Sequence, residues 1–129
     1  MKLRLQSNSI RFRLKQGDVT QFAEALHVEE SVVMGAGPEN TFLYALEASS
    51  EVDTPRVQLQ PRGLVVQLPA ETVRRWAEGS DVGIEAVLPI RGAESLRLLI
   101  EKDFACLHGP SEDNVDTFPH PLAEAEAEA

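Results

Sequence analysis

The chain has 129 residues, of which 43% are apolar, with a formal net charge of −9 and one cysteine. That length suits a single domain able to bury roughly two-thirds of the surface its unfolded chain exposes. A lone cysteine excludes an internal disulfide framework, no segment approaches the roughly 20 apolar residues of a helical membrane span, and the acidic balance argues against general nucleic-acid binding, which relies on phosphate neutralisation.

In chain order, Leu3 and Leu5 alternate with Arg4 and Gln6, the pattern of a half-buried strand. Gln6-Ser7-Asn8-Ser9 supplies turn chemistry. Ile10, Phe12 and Leu14 then share one face of a second strand, with Arg11, Arg13 and Lys15 on the other. Val19, Phe22, Ala23 and Leu26 follow at helical spacing, and Asp18 falls in the first turn, where a carboxylate meets the positive end of the helix dipole. Alternation resumes over residues 28–34 and 41–48, on either side of the Gly35-Ala36-Gly37-Pro38 loop. Residues 49–55 read as a joint.

After the joint the series begins again. Leu64, Val66 and Leu68 alternate with Val65 and Gln67; Val73, Trp76 and Ala77 take helical spacing; residues 82–88 and 95–102 alternate once more. Aligned 54 residues apart without a gap, Leu5-Gln6 returns as Leu59-Gln60, Leu14 as Leu68, Val19 as Val73, Phe22 as Trp76 and Ala23-Glu24 as Ala77-Glu78. Val28 then matches Val82, Val33 matches Val87 and Glu47 matches Glu101. Repetition of this kind comes before any fold assignment. It predicts an α+β domain in which a strand–strand–helix–strand–strand unit is used twice, over residues 1–50 and 55–104. The units should form a mostly antiparallel sheet or open barrel with two covering helices, related by a pseudo-twofold. One core within residues 1–110 is expected because each half alone is small. Phe22 and Trp76 are its expected anchors.

The remaining residues have no counterpart in the first unit. Residues 111–121 form a polar extension with two prolines, and 122–129 alternate Ala with Glu after Leu122. That stretch is too short and too acidic to hold a helix by itself and is expected to be disordered. Charge is uneven along the chain. Residues 1–15 carry Lys2, Arg4, Arg11, Arg13 and Lys15 with no acid, while 111–129 carry Glu112, Asp113, Asp116, Glu124, Glu126 and Glu128 with no base. The opening Met1-Lys2-Leu3-Arg4-Leu5 lacks the apolar run of a signal peptide, so a cytoplasmic location is expected.

Residues 2–14 (Lys-Leu-Arg-Leu-Gln-Ser-Asn-Ser-Ile-Arg-Phe-Arg-Leu), together with Ile100-Glu-Lys-Asp-Phe-Ala-Cys-Leu-His, Glu112-Asp113 and Phe118-Pro-His-Pro, resemble a small bacterial family of hypothetical proteins without an assigned activity. The resemblance implies a bacterial cytoplasmic protein and carries over no catalytic residue.

Three groups of residues are candidate sites. Arg4, Arg11, Arg13 and Lys15 alternate away from the apolar face and suit a phosphate or carboxylate, which guanidinium holds bidentately. A solvated face that discourages edge association explains them more plainly, and the acidic tail folding over the strip is a variation on that. Cys106, His108 and His120 offer zinc-type ligands, though their spacing fits no established zinc motif and a buried structural cysteine accounts for it as well. Glu47 and Glu101, with Lys102, are placed equivalently in the two units and suit acid–base or cation chemistry if they face one another; structural ion pairing is the simpler reading.

The order of elements also resembles a permuted form of the duplicated fold of triphosphate-tunnel phosphohydrolases. Here the Glu-x-Glu-x-Lys signature is missing and the inward positions are Leu, Ile, Val and Phe. Phosphate-loop, dinucleotide and nucleophile-elbow motifs are absent too. The sequence therefore predicts a non-enzymatic binding module without cofactor, for an unidentified protein or a small anionic ligand, with no role on nucleic acid or membrane. A divergent phosphohydrolase and a zinc-stabilised domain are the alternatives.

Overall fold

The computed structural model describes residues 1–104 and 116–118. Within them, eight strands and two α-helices alternate in the predicted order: β1 (Lys2–Gln6), β2 (Ser9–Leu14), α1 (Gln16–Ala25), β3 (His27–Val33), β4 (Thr41–Ser49), β5 (Arg56–Gln60), β6 (Gly63–Pro69), α2 (Ala70–Glu78), β7 (Gly83–Arg91) and β8 (Glu94–Lys102). The domain is α+β, and its strands form two separate four-stranded sheets, not a closed barrel. None of the described helices is long and apolar enough to cross a membrane.

Four antiparallel hairpins are exchanged between the halves. The first sheet runs β1-β2-β8-β7 and the second β3-β4-β6-β5, so each joins the first hairpin of one half to the second hairpin of the other. The two seams, β2 with β8 and β4 with β6, are parallel. Parallel neighbours need a long crossover, and α1 and α2 each carry the chain from one sheet to the other. At the first seam Phe12 opposes Ile100, and at the second Leu46 opposes Val66.

One apolar cluster fills the interior. Ile10, Phe12 and Leu14 of β2 and Leu98 and Ile100 of β8 belong to it, with Leu46 of β4 and Leu64, Val66 and Leu68 of β6. Phe12 and Tyr44 approach across it with ring centroids 6.3 Å apart. Phe22 and Trp76, the expected anchors, are both buried, and the Trp76 indole N–H donates to the Val82 carbonyl at 3.2 Å. A shared cluster explains why half the chain would not suffice, since each sheet draws strands from both halves.

Two sequence expectations need correction. Val28 pairs with Leu46, whereas Ile84 pairs with Ile100, so the counterpart of Val28 is Ile84, two residues beyond Val82. Val28 and Ile84 are buried and Val82 is exposed. The gapless alignment fails because Leu26 alone separates α1 from β3, while residues 79–82 separate α2 from β7. The slack is recovered in a shorter turn between β7 and β8. In addition, the apolar stripe of α1 is narrower than its spacing implies: Val19 and Phe22 are buried, but Ala23 and Leu26 are exposed. Leu26 caps the helix in the left-handed conformation (φ 58°), which turns its side chain off the stripe.

Candidate functional site

The β1–β2 hairpin fixes the backbone positions of its basic residues. Ser7 and Asn8, at φ 48° and 57°, form the two-residue turn, a geometry whose twist matches that of paired strands. Asn8 adds a hydrogen bond from its side-chain amide to the Ser95 carbonyl at 2.6 Å, tying the turn to β8. Pairing sets Arg4 opposite Arg11 and Lys2 opposite Arg13. Ile10, Phe12 and Leu14 occupy the core, so the alternate residues Arg11 and Arg13 stand on the outer face.

Neutralisation across this face is incomplete. Arg11 makes a bidentate pair with Glu101, Nε to Oε1 at 2.8 Å and Nη2 to Oε2 at 3.1 Å. Lys2 Nζ lies 3.3 Å from the Asp103 carboxylate, and Arg97 lies 3.4 Å from Glu85. Arg4 and Arg13 have no carboxylate within ion-pair distance among the described residues, and both are exposed. Together Lys2, Leu3, Arg4, Arg11 and Arg13 line a recess of about 310 Å³. The hairpin thus presents four cations, two of which have no ion-pair partner among the described residues.

The other sequence candidates separate. Lys15 has left the strand: it precedes α1, its backbone N–H donating to Asp18 Oδ2 at 3.0 Å, and it does not line the recess. Glu47 does not face Glu101. It occupies the outer face of the second sheet, where Gln67 donates to it at 3.4 Å and His27 lies 3.6 Å away. The exchange of hairpins puts Glu47 of β4 and Glu101 of β8 on different sheets, which their matched places in the sequence do not reveal. Lys102 alternates to the inner side of β8 and is buried. Its ammonium donates to the Gly79 carbonyl at 2.9 Å and sits 5.9 Å from the Trp76 ring centre and 5.6 Å from that of Phe118. Burial pushes its pKa down against the pull of Asp81. It is a structural pin for the end of α2, not a partner of Glu101. Cys106, His108 and His120 lie outside the described residues; among those described, no cluster of three or more His, Cys, Asp or Glu could hold a metal.

Sequence reasoning missed two features. Lys2 belongs to the basic opening of the chain, but its place in the recess depends on the register with Arg13. The Met1 amine is the second. It lies 3.0 Å from Asp18 Oδ2 and against Glu30, while the Tyr44 hydroxyl donates to the Met1 carbonyl at 2.9 Å. Burial lowers the affinity of this amine for its proton, but Glu30 and Asp18 outweigh burial and raise its pKa above 8.0. Only chain folding brings residues 1, 18, 30 and 44 together, so no local signal announces them.

A model of a family of unknown function, DUF7009, matches residues 1–122. The chain belongs to that family. No curated protein and no solved structure matches it. The matched span includes both sheets, both helices and the whole basic hairpin, so the recess lies within the family's domain.

Proposed function

We propose that this DUF7009 domain is a non-enzymatic binding module that takes a small polyanion, or an anionic group of a partner, in the recess of the β1–β2 hairpin. The observation carrying the reading is that Arg4 and Arg13 are exposed and free of carboxylates among the described residues, in a chain of net charge −9. The hairpin fixes the spacing of the two arginine backbones, and the bidentate geometry of guanidinium favours phosphate over chloride. Arg11, already oriented by Glu101, supplies a third positive edge. A solvated face would need no recess and would gain from cross-strand neutralisation, which the pairing of Lys2, Arg11 and Arg97 shows is available on this sheet.

The phosphohydrolase reading has less support. Triphosphate-tunnel chemistry needs acids and bases converging inside a barrel. Here the sheets are separate, and Glu47 and Glu101 point outward from different ones. A reducing, cytoplasmic setting fits the single cysteine.

Calorimetric titration with tripolyphosphate at low ionic strength tests the proposal. Binding should weaken as salt rises and disappear in the double variant Arg4→Glu/Arg13→Glu, while Glu47→Gln binds as the parent does. Equal binding by the double variant, or none by the parent at low salt, overturns the assignment.

A further inference from the structure

The recess opens beside an edge strand, because β1 ends the order β1-β2-β8-β7. Hydrogen bonds of its neighbour decide which of its amides face outward. On β2 and its turn, the Asn8 and Leu14 carbonyls accept from Arg97 and Asp103 N–H, on the side of β8. Backbone groups alternate in direction along a strand, so Ser9, Arg11 and Arg13 turn toward β1 and bond with Gln6, Arg4 and Lys2 opposite them. Leu3 and Leu5 therefore aim their N–H and carbonyl groups away from the sheet. Met1, in phase with them, has its carbonyl taken by the Tyr44 hydroxyl at 2.9 Å. Leu3 and Leu5 have no backbone partner on that side among the described residues.

Side chains keep the same two-residue period. Lys2 and Arg4 stand on one face of β1, beside Arg13 and Arg11, and Leu3 and Leu5 on the other, with Leu5 59% exposed. Open amides, an exposed leucine and the cations of the recess thus lie along one five-residue strand.

We infer that this edge takes an extended acidic segment of a partner protein as an added strand, with carboxylates at every second residue beside Lys2 and Arg4 and apolar residues beside Leu3 and Leu5. The inference rests on the reading of the recess as an anion site and names its occupant. Main-chain hydrogen bonds to Leu3 and Leu5 hold an extended chain of any sequence, and the charge pattern selects this one. Charge also argues against a second copy, since two β1 strands paired antiparallel through their centres would set Arg4 against Arg4. β5 shows the same edge without the signal. It ends the other sheet with the same pattern of exposure and leaves Leu59 87% exposed, but Gln58 stands where β1 has Arg4.

The test titrates two blocked pentapeptides of one composition, Glu-Val-Glu-Val-Glu and Val-Glu-Glu-Glu-Val, into the full chain at low salt. Two cross-strand ion pairs should make the alternating peptide bind about three-fold to thirty-fold tighter. It should slow hydrogen exchange at the Leu3 and Leu5 amides and leave Val57 and Leu59 unchanged. Leu5→Pro removes an outward N–H without touching the ladder to β2. That variant should lose the peptide and keep tripolyphosphate, whereas Leu59→Pro should keep both. Equal affinity for the two peptides, or unslowed exchange at Leu3 and Leu5 with peptide bound, overturns the added strand and leaves the anion site standing. Protection that grows with protein concentration before peptide is added overturns it in favour of a second copy. A parent that discriminates the peptides and protects both amides, yet binds no tripolyphosphate, sinks the small-anion function and supports the strand.

Discussion

Gly63 lies against the Leu43 backbone where the halves of the second sheet meet, and its replacement by alanine is a sharp test of the interlocked architecture. Gly63 opens β6 opposite Leu43 of β4, beside the hydrogen bond from Leu43 N–H to the Arg62 carbonyl at 2.8 Å. A Cβ at this position would stand 1.7 Å from the Leu43 carbonyl oxygen. Ordinary carbon–oxygen contact is near 3.3 Å, so the strands must part by about 1.5 Å. Parting them costs about two ladder hydrogen bonds at about 1 kcal/mol each. Overpacking adds about 1–3 kcal/mol. The total expected loss is therefore about 3–5 kcal/mol. With a urea m-value of about 2 kcal/mol per molar, the unfolding midpoint should fall by about 1.5–2.5 M. Gly92→Ala is the control: Gly92 has φ 53° with nothing within 4 Å of an added Cβ, so it tests strain alone and should cost about 1 kcal/mol. A Gly63→Ala protein that unfolds within about 0.5 kcal/mol of the parent, or no earlier than Gly92→Ala, would refute the parallel seam between β4 and β6.

Two further outcomes follow from the interior. Trp76→Ala removes the largest fully enclosed side chain, the partner of the Val82 carbonyl and the platform under Lys102. It should cost about 3–5 kcal/mol in chemical denaturation; a loss below about 1 kcal/mol would show that α2 is not a core element. The Met1 amine gives the chain a pH dependence. Its folded pKa is raised above the unfolded value of 8.0, so its contribution is complete below about pH 8 and is lost as pH rises through the folded value. Urea midpoints should fall as pH rises above about 8, and Glu30→Gln should flatten that decline. A midpoint that stays constant or rises over the range contradicts the buried amine–carboxylate cluster.

Much of the domain was legible because its signals are local. Alternation over two residues marks strands, helical spacing marks α1 and α2, and turn residues mark their ends, so the order of elements and the identity of Phe22 and Trp76 as anchors could be read directly. The placement of Arg11 and Arg13 on the outer face follows from the same alternation. The gapless match between halves fails from the helix-to-strand loop through β3 and β7, so that Val33 corresponds to Pro89 and not Val87, a shift that leaves each strand's own pattern intact.

Tertiary pairing settled everything that depends on partners remote in sequence. Nothing local states that β2 lies beside β8 and β4 beside β6, since a strand's alternation specifies which face is buried but not which strand adjoins it. That exchange of hairpins sent Glu47 and Glu101 to different sheets, gave Glu101 to Arg11, turned Lys102 inward, and left Arg4 and Arg13 without a carboxylate among the described residues. Sequence by itself therefore determined the elements and their buried sides, because those obey short-range geometry. Which charges meet, and which remain free to meet something else, was decided by contacts formed only when the two halves interlock.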